Sequence, residues 1–102
     1  MSRPASVTIV EVGPRDGLQN LPQVLPTADK VRYIGLLAAS GLTTIEVTSF
    51  VSPKAAPQLS DAAETVAGLR DLPITPIALV PNLKGAKSAV AVKPGISAAE
   101  KA

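Results

Sequence analysis

Three runs rich in β-branched residues, beginning near Val7, Thr43 and Ile74, stand 36 and 31 residues apart, and each is followed by a stretch with helical spacing. Strands that recur at this interval with a helix between them can pair in parallel, because a parallel connection needs a crossover of a dozen residues or more. A (β/α)₈ barrel of ~250 residues devotes about 31 residues to each unit. A short doubly wound sheet produces the same pattern, so periodicity leaves the two architectures open.

The runs themselves carry more detail. Val7 to Val12 is almost continuously apolar, the pattern of a parallel strand covered on both faces. Thr27 is a suitable helix N-cap with Asp29 in the first turn; Val31, Ile34, Leu37 and Ala38 then form a helical stripe, with Lys30 and Arg32 off it. Gly41 is placed to close that helix in the left-handed conformation. Thr43 to Ser49 reads as the second strand, with Ile45 and Val47 on one face and Glu46 and Thr48 on the other. The next helix is expected to start at Leu59 or Ser60 and to bury Ala63, Val66, Ala67 and Leu69. Ile74 to Val80 is the third strand, and Asn82 caps a helix running through Ala91.

The first strand runs into Gly13-Pro14-Arg15-Asp16-Gly17-Leu18-Gln19-Asn20. Gly13-Pro14 ends the ladder, since proline has no N–H to give it. A guanidinium, a carboxylate and two carboxamides then fall within six positions. Asp-Gly is also a strong turn signal, so a purely polar turn is the plain alternative. Residues just after parallel strands collect on one edge of the sheet, the edge that carries active sites. Arg15, Asp16 and Gln19 come after the first strand, Glu46 and Ser49 end the second, and Asn82 comes after the third. Arg15 and Glu46 are thereby expected to be neighbours across adjacent strand ends. A structural ion pair at a rim would need the same placement.

Composition narrows the partners. The net charge of +2 is spread along the chain and forms no basic stripe, which argues against nucleic acid. There is no cysteine and no histidine, so disulfides, thiolate zinc sites and the usual imidazole base are excluded. Charges or prolines interrupt every apolar stretch before it reaches membrane-spanning length, and Met1 to Ser6 is not a signal peptide. A cytoplasmic protein is the expectation. Hydrophobic residues make up 46%, but the aromatics are only Tyr33 and Phe50, so the core is built on Ala, Val, Leu and Ile.

Three blocks, Ile9 to Asn20, Ile45-Glu46-Val47-Thr48-Ser49-Phe50-Val51-Ser52-Pro53-Lys54, and Pro81-Asn82-Leu83-Lys84-Gly85, resemble hydroxymethylglutaryl-CoA lyase in register from about Val7 to about Ala91. That resemblance selects the barrel: the first three βα units of an incomplete (β/α)₈ TIM barrel over residues 1–92, followed by a non-matching, frayed tail over 93–102. It implies retro-Claisen cleavage of hydroxymethylglutaryl-CoA to acetyl-CoA and acetoacetate, as in leucine breakdown and ketone-body formation. In the family the matching arginine, Arg15, polarises the thioester carbonyl and holds the enolate, and the matching aspartate, Asp16, binds a divalent metal, Mg²⁺ or Mn²⁺. Glu46 matches the glutamate that supports acid–base chemistry, and Gln19 and Ser49 match polar residues of the substrate pocket.

The family's other metal ligands are a His-x-His pair and an Asn, and its mobile loop carries a cysteine. With no His and no Cys, this chain is expected to be a truncated form, inactive alone. The alternatives are a non-catalytic module that self-associates, or pairs with the rest of a barrel, through open sheet edges, and a part of a related isopropylmalate or homocitrate synthase. In those synthases a Thr-rich run usually precedes the arginine, where this chain has Gly13-Pro14.

Overall fold

The computed structural model describes residues 5–92 and, as backbone, 97–100. Strands β1 (Val10–Glu11), β2 (Thr44–Ser49), β3 (Thr75–Val80) and β4 (Ser97–Glu100) lie side by side in chain order, every neighbouring pair parallel. Helices α1 (Thr27–Ala39), α2 (Ala62–Ala67) and α3 (Leu83–Val92) make the crossovers. Ile34 of α1, Val66 of α2 and Ala89 of α3 pack into a single cluster with Ile45, Val47, Ala78 and Val80 of the central strands. All three helices therefore cover the same face. A doubly wound sheet distributes its helices over both faces; sequential strand order with one-sided helices is the wall of a barrel.

Several local features agree with the sequence pattern. Gly41 closes α1 with φ of 105°, a conformation that costs glycine nothing because it has no Cβ. Asn82 caps α3: its Oδ1 accepts from the Gly85 N–H at 2.8 Å. Gly85 itself sits against the end of β2, where a Cβ would come within 2.5 Å of the Phe50 carbonyl oxygen. Helix α3 can approach the strand end only with glycine there.

Other expectations are corrected. The first strand is not a six-residue strand buried on both faces. Only Val10 and Glu11 pair with β2, and Val7, Ile9, Val10 and Val12 are exposed by 77%, 68%, 43% and 38%. It is the outer strand, and no neighbour covers its far side among the described residues. The tail is not frayed throughout: Ser97–Glu100, which spells a helix capping box, pairs with Ile77 to Val80 as a fourth strand. The rest of the expected tail, residues 93–96 and 101–102, lies outside the described residues. Helix α2 begins later than expected, at Ala62, after a 3₁₀ turn over Pro57–Leu59. That delay rotates its face, so Ala62, Thr65, Val66 and Leu69 are buried while Ala63 and Ala67 are exposed.

Lys30 is a further correction, being 3% exposed rather than off the stripe. It stands one helical turn before Ile34, so its stem joins the apolar face. Its ammonium donates to the Gln58 carbonyl and to Asp61 Oδ1, while the Thr27 hydroxyl donates to Asp61 Oδ2. Thr27 thus ties α1 to the start of α2 and makes no side-chain cap of its own helix. Burial pushes the Asp61 carboxyl up, but the hydrogen bonds from Lys30 and Thr27 and the Lys30 charge outweigh it and hold the group below its ordinary value.

A carboxyl depressed in the folded state stabilises the fold above its unfolded pKa of about 3.9, and that contribution is lost as pH falls through the lower folded value. Asp61→Asn should cost about 3 kcal/mol at neutral pH by leaving the Lys30 charge buried without its partner. It should also remove part of the acid dependence below about pH 4; denaturant titrations at several pH values check both. Gly85→Ala should cost about 1–3 kcal/mol, because the atom it meets is backbone and cannot swing aside; thermal unfolding reads it.

Candidate active site

At the C-terminal end of β1 the chain enters a π-helical turn over Gly13–Gly17. The turn is fastened from behind: Glu11 Oε1 accepts from the Gly13 N–H at 3.0 Å, and a Cβ on Gly13 would collide with the Tyr33 hydroxyl of α1. Asp16 N–H closes the turn on the Val12 carbonyl at 2.7 Å. Pro14 is buried, which anchors the base of the turn.

The turn delivers Arg15 to β2. Its Nε donates to Glu46 Oε1, and its Nη1 lies 3.4 Å from Asp16 Oδ1. The Arg15 and Glu46 side chains keep only 19% and 10% of their exposure, whereas Asp16 keeps 56%. The buried pair is the strong contact, and the exposed one at longer range contributes little. The Nη2 end of the guanidinium has no hydrogen-bond partner among the described residues. Its Nε and Nη1 contacts fix the guanidinium and leave these donors unengaged.

Strand β2 carries the other half of the arrangement. Glu46 pairs with Ile77 and Ser49 with Leu79, but a bulge between them sets Thr48, rather than Val47, opposite Ala78. Strict alternation would have put Glu46 with Thr48 and sent Ser49 to the opposite face. The extra residue instead returns Ser49 to the Glu46 face, a re-aiming that bulges near sites commonly perform. Thr48 joins the core-facing side and is 2% exposed.

The five residues singled out in the sequence are therefore not equivalent. Arg15, Asp16 and Glu46 converge in direct contact. Ser49 is buried, and its hydroxyl donates to the Leu79 carbonyl at 3.1 Å, so it is engaged with β3. Gln19 lies just past the turn, and its Oε1 is buried with no hydrogen-bond partner. Glu11 and Tyr33, which fasten the turn, were missed as positioning groups; the close approach they require at Gly13 is a three-dimensional fact. A cavity of ≈ 370 Å³ opens between the Phe50–Pro53 loop, α2 and α3, but neither Arg15 nor Glu46 lines it.

The carboxylate of Asp16 is a hard oxygen donor of the kind Mg²⁺ and Mn²⁺ take. Among the described residues no three His, Cys, Asp or Glu side chains group together. Asp16 fits one ligand of such an ion and not a complete set.

The sequence model of the HMGL-like family matches residues 6–101. The chain belongs to the HMGL-like family. It is 54% identical over 91 residues to the 3-hydroxy-3-isohexenylglutaryl-CoA/hydroxy-methylglutaryl-CoA lyase of Pseudomonas aeruginosa, an alignment that covers 88% of this chain and 30% of that protein. The crystal structure of the Bacillus subtilis HMG-CoA lyase superimposes with a TM-score of 0.84 at 47% identity, covering 98% of this chain and 34% of that one. An HMG-CoA lyase from Acinetobacter baumannii, solved with coenzyme A and 3-methylmalate, gives 0.80 at 45% identity over 85% of this chain and 29% of that one. The chain thus spans about a third or less of the length of these relatives. Metal dependence is general in this HMGL-like family. The family match also runs through the residues expected to be a non-matching tail.

Replacing Glu46 by Gln keeps an oxygen for the Arg15 Nε–H but removes the counter-charge of a largely buried guanidinium. The expected loss is about 1.5–3 kcal/mol, the range for a hydrogen bond to a charged group. Guanidinium exchange by NMR checks the cause: the Arg15 Nε–H should be protected in the wild type and exchange faster in Glu46→Gln, where a neutral amide oxygen replaces the carboxylate.

Proposed function

We propose that this chain carries the arginine half of an HMG-CoA lyase site, used to cleave hydroxymethylglutaryl-CoA to acetyl-CoA and acetoacetate. The observation that supports it most is the pair formed by Arg15, just past β1, and Glu46, within the neighbouring β2, with the guanidinium's Nη2 donors left free among the described residues. In this reading the C3 hydroxyl loses its proton and the C2–C3 bond breaks. C3 becomes the ketone of acetoacetate, and the electron pair moves onto the thioester carbonyl as an enolate. Arg15 donates to that developing oxyanion, a role its planar fork fills better than a lysine ammonium. Protonation at C2 then gives acetyl-CoA. Glu46 holds Arg15 in place and supports the proton transfers, while Gln19, with its unpaired buried oxygen, and Ser49 line the substrate side.

Asp16 is one ligand of the divalent ion, Mg²⁺ or Mn²⁺, which when bound polarises the substrate oxygens. The remaining ligands are supplied from outside the described residues, so the chain alone is inactive. A second reading, a non-catalytic module that pairs with another polypeptide, is favoured by the exposed apolar residues along the outer edge of the sheet, Val7, Ile9, Val10 and Val12.

A chimera separates the two. Residues 6–92 of this chain replace the corresponding segment of the Pseudomonas relative, and metal-dependent acetoacetate release is measured. The chimera should be active, and Arg15→Gln within it should lower kcat by about a hundredfold or more, the cost of an oxyanion donor. An active chimera indifferent to Arg15→Gln would refute the assignment. Acetoacetate release by the 102-residue chain alone that disappears in Arg15→Gln would overturn its inactivity alone while supporting the role of Arg15.

A further inference from the structure

We propose that the 102-residue chain closes its sheet with a second copy of itself, two four-stranded walls forming one eight-stranded parallel ring. The proposal rests on the fold and is independent of the lyase chemistry. Four parallel strands stand in uninterrupted order, β1-β2-β3-β4. This is half the strand number at which a barrel wall closes with its interior filled by side chains. A half-turn about the barrel axis leaves strand direction unchanged. It therefore brings β4 of one copy alongside β1 of the other in parallel, twice, and the ring closes without a free edge.

The exposed surfaces fit that occupant. On the outer edge, Val7 and Ile9 carry the residue types of a strand yet stay outside the ladder, exposed by 77% and 68%. Pairing with β2 captures only two residues of the segment. On the inner face, away from the helices, Val10 is 43% exposed and Ile77 and Leu79 are half-buried. Register with β2 and β3 places these three on one face, opposite the core of Ile45, Ala78 and Val80. The inner face also carries Thr44, Glu46, Ser49 and Thr75, so its apolar contribution comes from Val10, Ile77 and Leu79, beside the apolar edge of Val7 and Ile9.

The charges do not oppose closure, because Arg15 is already neutralised by Glu46 on its own copy.

The test is sedimentation and light scattering on the wild-type chain at tens of micromolar, with two kinds of edge variant. Ile9→Lys blocks the β1 edge at a residue that no described strand uses. Ala98→Pro and Ala99→Pro block the β4 edge; successive N–H groups along a parallel strand point to opposite sides, so one of the two spares the bond to β3. The wild type should run at twice 10.4 kDa. The Ile9→Lys chain, and whichever proline variant keeps the wild-type far-UV circular dichroism, should each run as monomers. Mixed together, they should recover a two-copy species, because one β4–β1 junction is then intact on both sides. If both proline variants lose their fold, the Ile9→Lys arm decides: monomer supports the ring and dimer overturns it. A monomeric wild type, open assemblies that grow with concentration, or a mixture that stays monomeric also overturns it, as does a folded proline variant that still dimerises, which marks a dimer joining β1 to β1.

Discussion

A parallel strand reaches its neighbour only by crossing over the sheet, and in this chain all three crossovers run across the same face. That one-sidedness decides the remaining geometry. It buries the pair formed by β2 and β3 under three helices, and it commits the opposite face to become the inside of a barrel. It also aligns the C-terminal ends of the strands, so that the loops leaving them collect at one rim. The core of this layer is small and aliphatic, with Ile34, Ile45, Val47, Val66, Ala78 and Val80 at its centre. Short side chains let helices and sheet approach closely, and Gly85 against the Phe50 carbonyl is the tightest example.

Two ion pairs with different work are built on this frame. Lys30 and Asp61 join α1 to α2 on the outside of the sheet, with Thr27 and the Gln58 carbonyl satisfying the remaining polar atoms. Both charged groups of this pair are held by partners within the protein. Arg15 and Glu46 lie at the rim, and there the guanidinium retains unused donors among the described residues. The two pairs differ in setting, one joining two helices and the other joining the turn after β1 to β2, although both are largely shielded.

Membership of the HMGL-like family and the barrel-wall fold give the rim its chemical meaning, while the share of its relatives that the chain spans, about a third or less, limits how much of a site it can hold. The arginine, the aspartate and the glutamate are present and converge. The group that would complete a metal's coordination is not formed among the described residues. The inner face and outer edge are where the remaining wall of a barrel would lie, and their apolar residues are the physical expression of that incompleteness.

Much of this was legible from residue order. The 31-residue interval between Arg15 and Glu46 was enough to bring them together, although Glu46 lies within β2 and not at its end, because repeat length and strand direction are local properties summed along the chain. The αL glycine at position 41 and the Asn82 cap were equally readable, since a single residue's conformational preference fixes them. Tertiary structure alone decided the rest. Whether Val7 to Val12 is buried depends on a neighbour that its own sequence does not name. The Glu46–Thr48 bulge flips the side-chain alternation in a strand with no glycine or proline to announce it. Lys30 could be placed inside only once Asp61, 31 positions away, was known to face it. Sequence by itself determined the periodicity, the Gly41 and Asn82 caps and the meeting of Arg15 with Glu46; burial, register and the engagement of Thr27 and Lys30 with Asp61 were settled by which segments met, because those energies belong to pairs and not to single residues.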